Sequence, residues 1–236
     1  MDPATRRPDS ASVVPFCFAV ASRMATPAEL RLGPARLPAQ AAEALAVLLP
    51  LLGCGEEAAA MAFDALADDA RLSGAAETLT TIAREERVHD ALLRHLQIAL
   101  PVATETRALL RSARRFHIRL QAGGPMAHLA RIAALDSAVC TVLSRLTCDG
   151  GAIALDPAIH RLLRRIHKDE ARHVAISRVL VLNNASTGGL RDVAAAAREQ
   201  LANTLALAGD AFEALGVDPA ALDRRIRTLP DGLLAV

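Results

Sequence analysis

The chain has 236 residues, of which 52% are hydrophobic and only 2% aromatic, and it contains neither tryptophan nor tyrosine. Its 51 alanines favour helix, whereas the aromatic and β-branched residues that strands require are scarce. The formal net charge of +1 argues against a protein that binds nucleic acid through bulk positive charge. We therefore expect an all-α protein whose core is large enough to need no disulfide or structural metal.

Proline and glycine positions divide the chain into a leader and a series of helices. Six of the twelve prolines lie in residues 1–38, which predicts an irregular leader. Residues 39–236 are expected to form one helical domain, with a core bundle at about 41–183 and additional helices at 190–236. Helices are predicted at 39–69 (bent or restarted at Pro50), 75–100, 126–147, 157–183 and 190–215, with a short one starting at Asp218-Pro219.

The lengths of the connections indicate how these helices are arranged. The first and second predicted helices share a short turn, as do the third and fourth, which is typical of antiparallel neighbours. Residues 102–124, between the two pairs, are numerous enough to travel the length of a bundle and are expected to include a helix. Two hairpins joined by one long crossover form a known type of four-helix bundle.

Each of the four main predicted helices carries an acid on the apolar face that should point into the core. Residues at three- and four-residue steps share one face of a helix, and on two helices a histidine follows the acid at such a step. The polar residues on these faces are Glu56, Glu86, His89, Asp136, Glu170 and His173. Glu57 is the alternative to Glu56, but the helix face that carries it also carries Gly53 and Asp64 and is therefore less apolar and less suited to face the core.

Four buried carboxylates and two imidazoles predict a metal site. Unpaired buried carboxylates are costly, so they raise their pKa values or bind a cation. Glu56 precedes Glu86 by 30 residues and Asp136 precedes Glu170 by 34, which suggests a duplicated helical hairpin. A donor set of carboxylates and imidazoles without thiolates favours iron or manganese over structural zinc.

The segment from about Ala41 to Asn183 resembles the ferritin-like di-iron superfamily. The motifs that carry the resemblance are Gly-Glu-Glu-Ala-Ala-Ala-Met-Ala-Phe at 55–63, Glu-Glu-Arg-Val-His at 85–89, Leu-Asp-Ser-Ala at 135–138 and Asp-Glu-Ala-Arg-His at 169–173. The resemblance implies a ferritin-like four-helix bundle with two iron ions, or manganese or a mixed pair instead. It also implies roles for the six residues: Glu86 and Glu170 as bridging ligands, His89 and His173 as ligands of one ion each, and Glu56 and Asp136 as terminal ligands.

Departures from the family pattern narrow the expected function. Asp136 stands where a longer glutamate is usual, and the absence of a rubredoxin-like cysteine pair argues against a rubrerythrin. The absence of tyrosine excludes a tyrosyl-radical role. The run at 169–173 is most similar to ferritin-like oxygenases such as the arylamine N-oxygenases. His167 is similar to their additional histidine, although its spacing differs by one residue, and its role as a ligand stays open.

The resemblance implies a non-haem dinuclear iron oxidase or oxygenase that uses O2 to oxidise a small organic substrate. A ferroxidase with iron storage and a metal-free or structural interaction module are the alternatives. An external electron donor and a homodimer are compatible with this function, whereas no nucleic acid or membrane partner is expected.

The remaining polar side chains are expected to have ordinary surroundings. Glu85 and Asp169 should face solvent or pair with arginines. Arg107, Arg111, Arg114, Arg115 and Arg119 predict a solvated basic face, with a surface for an anionic partner as the alternative. The four cysteines form no CxxC pair, which favours reduced thiols in a cytoplasmic protein and inert interior positions for Cys140 and Cys148.

Overall fold

The described part of the chain is helical, which confirms the predicted all-α class. A computed structural model describes residues 16–18, 33, 35–103, 106–184 and 189–229, and no strand occurs within these ranges. The α-helices are α1 (Ala39–Ala67), α2 (Ala76–Ile98), α3 (Arg107–Arg119), α4 (Pro125–Leu146), α5 (Pro157–Asn184), α6 (Leu190–Ala206), α7 (Gly209–Ala214) and α8 (Pro219–Arg227). Short 3-10 helices at Ala70–Ala75 and Ala152–Leu155 precede α2 and α5.

Aspartate caps begin two of the helices where the sequence predicts them. The Asp156 carboxylate accepts hydrogen bonds from the backbone N–H groups of Ala158 and Ile159 at 3.0 and 3.1 Å. Asp218 accepts equivalent bonds from Ala220 and Ala221. In both cases proline follows the cap, where its fixed φ suits the first helical turn and its missing N–H costs nothing.

The structure decides one open alternative and corrects one predicted helix. Helix α1 runs through Pro50 as a single helix of 29 residues, so the helix does not restart there. The single helix predicted at 190–215 is divided into α6 and α7, which are separated at Leu207 and Ala208. The division lets α6 pack against α4 while α7 packs against α1.

The helices form a bundle of two hairpins with two covering helices. Helix α1 packs along α2, and α4 packs along α5, whereas α1 and α4 contact each other little. Helix α3 lies against α1 and α6, and α6 lies against α4. These two helices therefore cover the gap between α1 and α4.

The apolar core consists of two clusters separated by a layer of buried acids. One cluster contains Leu49, Leu93 and Leu143, and the other contains Phe63 and Leu79. Along α2, for example, Leu79 belongs to one cluster and Leu93 to the other, and Glu86 lies halfway between them. The motif acids thus lie near the middle of the bundle.

Helices α1 and α4 are each long and apolar enough to span a membrane by length and composition. In the structure 67% of the most apolar stretch of α1 and 61% of that of α4 are buried inside the protein. Core helices of bundles meet the same criterion.

The cysteines differ from the expectation of four reduced thiols. Cys17 and Cys54 form a disulfide with their Cα atoms 5.2 Å apart, which fastens part of the predicted leader to α1. Cys140 and Cys148 are free, and Cys148 is exposed rather than interior. Sequence spacing does not reveal the disulfide, because its two cysteines lie 37 residues apart and form no recognisable motif.

Candidate metal centre

All six predicted site residues are buried near the middle of the bundle. Helices α1 and α4 each contribute one acid, and α2 and α5 each contribute a glutamate and a histidine. The relative exposures are 6% for Glu56, 1% for Glu86, 1% for His89, 7% for Asp136, 3% for Glu170 and 0% for His173. The inward face predicted from the three- and four-residue spacing is therefore the buried face of each helix.

Four of these residues form a compact donor group. One ligand atom each from Glu56, Glu86, His89 and Glu170 lies within 4.8 Å of the other three. The Nδ1 atom of His89 is 3.1 Å from Glu170 Oε1 and 3.3 Å from Glu56 Oε2. This geometry brings the Glu-x-x-His motif of α2 into contact with acids from α1 and α5.

His173 and Asp136 adjoin this group. The Nδ1 atom of His173 is 2.8 Å from Glu86 Oε1 and 3.7 Å from Glu170 Oε1, so both motif histidines direct Nδ1 towards the acids. Asp136 is buried and shares a cavity wall with Glu56, Glu86 and Glu170, but it lies outside the four-donor group. Its assignment as a ligand stays a prediction.

Burial and mutual repulsion raise the pKa values of Glu56, Asp136 and Glu170. Burial raises the pKa of Glu56 to about 8, although the neighbouring His89 opposes this rise. Burial also raises the pKa of Glu170, with a contribution from Glu56, and raises that of Asp136 well above its usual range. Without a cation, the centre therefore retains protons that exposed carboxylates would have lost.

The pKa values of the two histidines are also raised, but by contacts with the acids and against the effect of burial. Burial by itself lowers the pKa of His173, but contacts with Glu86 and Glu170 outweigh it and raise the value to about 9. The pKa of His89 is likewise raised, because Glu170 and Glu56 outweigh the effect of burial. Protonated imidazoles thus neutralise part of the acidic charge when no metal does so.

The donor set fits a bound cation. Oδ2 of Asp136 is buried without a hydrogen-bond partner. The buried oxygens of Glu86 and Oε1 of Glu170 lie 2.8–3.4 Å from the Nδ1 atoms of His173 and His89, which are ion-pair contacts rather than well-formed hydrogen bonds. Buried polar atoms are normally satisfied by hydrogen bonds, so this cluster of donor atoms is suited to binding a cation. Their oxygen and nitrogen chemistry suits a hard or intermediate metal ion such as iron or manganese.

Two acids outside the predicted set hold the histidines in place. Asp169 Oδ2 lies 3.3 Å from Nε2 of His89, and Glu85 Oε2 lies 2.8 Å from Nε2 of His173. Each acid belongs to one hairpin and contacts the histidine of the other. Arg172 connects the two acids, at 3.0 Å from Glu85 and 3.2 Å from Asp169. The expected arginine pairing is present, but the histidine contacts were missed.

Glu57 is buried but turned away from the donor group. Its carboxylate accepts hydrogen bonds from the backbone N–H groups of Phe16, Cys17 and Phe18 at 2.6–2.7 Å, and it forms an ion pair with Arg94. Of the two adjacent glutamates, Glu56 therefore belongs to the centre. The sequence contained no signal for the second role, because residues 16–18 lie in an aperiodic segment.

His167 and the arginines of α3 lie outside the centre. His167 is half-buried and not part of the donor group, and burial together with the Arg164 charge lowers its pKa. The five arginines predicted to form a basic face are all exposed. One of them, Arg114, places its guanidinium 5.7 Å from the centre of the Phe18 ring.

A cavity of about 100 Å³ extends from the acids into the gap between α1 and α4. Glu56, Glu86, Asp136 and Glu170 contribute to its wall. Most of the remaining wall is apolar, with contributions from α1, α3, α4 and α6. His117 and His128 also line it, and burial lowers the pKa of each to about 4, so both are neutral at pH 7.

In comparisons with known proteins, no family model matches the chain and no curated protein matches its sequence. Function is therefore inferred from the geometry of the centre, the adjoining cavity and the motifs.

Proposed function

We propose that the chain is a ferritin-like dinuclear metal oxidase or oxygenase that uses O2 to oxidise a small organic substrate. One observation carries the proposal: the buried acids of the centre form part of the wall of an otherwise largely apolar cavity. A purely structural metal site needs no such cavity, because closed coordination is sufficient for it.

The residues of the centre have proposed roles as metal ligands or as supports of those ligands. Two ions would be held by Glu56, Glu86, His89, Asp136, Glu170 and His173, which are all buried at the centre. Two iron ions bound there would supply the redox chemistry with O2. Asp169 and Glu85 keep Nδ1 of each histidine directed inward by contacting Nε2, which fixes the tautomer that a ligand requires.

The cavity favours an uncharged and mainly apolar substrate. No arginine or lysine is among the described residues that line it, so an anionic group would have no counter-charge there. His117 and His128 form no hydrogen bond to a described residue. As neutral imidazoles they can each donate and accept a hydrogen bond, which suits a hydroxyl, amine or amide group on the substrate.

Metal analysis of anaerobically reconstituted protein tests the proposal. Ferrous iron should bind at about two ions per chain, and exposure to O2 should change the optical spectrum. Glu86→Ala and Glu170→Ala should each abolish dinuclear loading, whereas the exposed Glu43→Ala on the same bundle should load normally. Full occupancy in both site variants would contradict the assignment of the centre.

The same preparation distinguishes the alternative functions. Many irons per chain in a large assembly on size exclusion would indicate ferroxidase activity with storage. Protein that binds no iron and shows no change in melting temperature would indicate an interaction module. About two irons in a monomer or dimer is the result that the proposed oxidase or oxygenase requires.

A further inference from the structure

Residues 16–18, which we call the strap, are fastened to α1 next to the metal centre. The backbone N–H groups of all three residues donate to the carboxylate of Glu57. Three such bonds to one ionised group are stronger than bonds between neutral partners. A three-residue segment without secondary structure of its own is thereby given one defined position.

Side chains of the strap add further attachments. Cys17 is bonded covalently to Cys54, two residues before Glu56. The Phe16 ring lies against Gly53, where a methyl group on the glycine would overlap with the ring. The guanidinium of Arg94, which pairs with both Glu57 and Asp90, lies 4.7 Å from the centre of that ring. Such a cation–π contact stabilises the ring further.

The third residue of the strap forms part of the cavity. Phe18 lines the cavity together with residues of α1 and α3, and Arg114 of α3 lies over its ring. The strap therefore contributes a wall between these two helices. The position of this wall depends on Glu57 and on the disulfide, both of which lie outside the cavity lining.

We propose that the strap is a latched wall of the substrate cavity, with Glu57 as its positioning residue and the Cys17–Cys54 disulfide as its latch. Reduction by a dithiol transfers two electrons and two protons to the bond, giving two thiols while the dithiol becomes a disulfide. The strap, then held only by hydrogen bonds and ring contacts, moves away from the cavity more often. Apolar molecules enter faster as a result.

This inference rests on the proposed function only in naming the cavity as the substrate site. Its test therefore uses metal-free protein and a small uncharged fluorescent probe, phenol, whose emission is not obscured because the chain has no tryptophan or tyrosine. If disulfide reduction does not change the rate of probe association but iron loads normally, only the proposed latch is overturned. If reduction does change that rate but the protein binds no iron, only the proposed oxidase or oxygenase function is overturned.

The first experiment measures probe association by stopped flow in oxidised and dithiothreitol-treated protein. Reduction should raise the association rate of the wild type about tenfold or more, because it removes the covalent link across the strap. Cys54→Ser should bind rapidly with or without dithiothreitol. Cys140→Ser, which removes a free thiol on α4, should behave as the wild type does.

Two glycine substitutions test the position of the strap without changing a cysteine. Gly53→Ala places a methyl group against the Phe16 ring and should raise the association rate in oxidised protein. Gly74→Ala, in the 3-10 helix before α2 and outside the cavity lining, places its methyl where no atom lies within 4 Å. It should therefore leave the association rate close to that of the wild type.

Glu57→Gln tests the positioning role. It keeps the size of the side chain but weakens the three hydrogen bonds, so the probe should associate faster while iron stoichiometry stays at the wild-type value. A purely structural role for Glu57 would instead lower the melting temperature and iron binding together. Circular dichroism verifies that the variant is folded.

Three results would overturn the proposal. Equal association rates before and after reduction would show that the disulfide does not control access. Four alkylated cysteines in unreduced, denatured protein would show that the latch does not form, since the structure leaves only Cys140 and Cys148 free. Absence of probe binding in both redox states would show that the cavity is not reachable from the strap.

Discussion

At the scale of single residues, the orientation of the two histidines depends on acids that are not themselves proposed as metal ligands. Glu85 and Asp169 each precede a motif glutamate, and each contacts the Nε2 atom of the histidine on the opposite hairpin. Arg172 contacts both acids and so restrains them together. The orientation of the two imidazoles is therefore determined by contacts between the hairpins rather than within one of them.

Substitution of these acids should weaken metal binding without eliminating it. Glu85→Gln and Asp169→Asn should each lower the affinity for ferrous iron about 10- to 100-fold, because the histidine loses the partner that orients it. Anaerobic titration measures the affinity, with the exposed Glu43→Gln as the matched control. Unchanged affinity in both variants would mean that packing alone orients the histidines.

The pKa of Glu56 predicts how the stability of metal-free protein depends on pH. Its value of about 8 in the folded state exceeds the ordinary 4.5, so the folded protein binds this proton more tightly than the unfolded chain does. The resulting stability is fully present below pH 4.5 and is lost as the pH rises through 8.

Urea unfolding of metal-free protein at pH 5, 7 and 8.5 measures this effect. The free energy of unfolding should fall more steeply with pH in the wild type than in Glu56→Gln, which cannot ionise. Parallel pH profiles for the two proteins would show that Glu56 is not the titrating group.

The buried faces that carry the acids and histidines could be predicted from the sequence, whereas the contacts around them could not. Glu86 and His89 share one face with apolar residues, and this pattern needs only helical geometry to be recognised. The contact of Glu85 with His173 joins residues 88 positions apart and depends on how α2 and α5 approach each other. No local pattern encodes that distance.

At the scale of elements, a proline or glycine marks the start of several helices, among them α4, α5, α6 and α8. Helix α4 follows Gly124, whose φ of 83° and ψ of 172° lie in a region that is essentially restricted to glycine. The prediction of α4 from this glycine and Pro125 is correct to within one residue. The interruption between α6 and α7 was missed because it reflects packing against two different helices rather than a glycine or proline pair.

Gly124→Ala should destabilise the protein by about 1–3 kcal/mol through backbone strain alone. An added methyl group at this position meets no atom within 4 Å, so steric overlap with other residues does not contribute. Gly74→Ala is the control, because its methyl is equally free and its φ is not positive. Urea unfolding should show a loss for Gly124→Ala and little change for Gly74→Ala.

At the scale of the whole molecule, buried charge occupies the middle of an otherwise apolar bundle. Glu86 lies between the two apolar clusters, so the helices cannot pack there as a continuous apolar core. The composition and the spacing of apolar residues predicted the all-α class. They could not predict the strap, because three aperiodic residues fastened to α1 leave no repeating pattern.

Metal binding should therefore stabilise the whole protein. Ferrous iron at about 100 times its dissociation constant should add about 2.7 kcal/mol to the free energy of unfolding for each site filled. Differential scanning calorimetry under anaerobic conditions should show a rise in melting temperature that a chelator reverses. Glu86→Ala should show little rise, and an equal rise in this variant would place the stabilising metal elsewhere.

The adjacent glutamates of α1 restrict how this helix can change during evolution. Glu56 contacts His89, whereas Glu57 accepts hydrogen bonds from the backbone N–H groups of residues 16–18. Because they are consecutive on a helix, the two glutamate side chains point in directions about 100° apart. Inserting or deleting one residue earlier in α1 would rotate both acids out of their positions at once. In relatives of this chain, insertions and deletions should therefore fall outside α1. Where they occur within α1, an insertion should be paired with a deletion, so that both glutamates keep their positions around the helix axis.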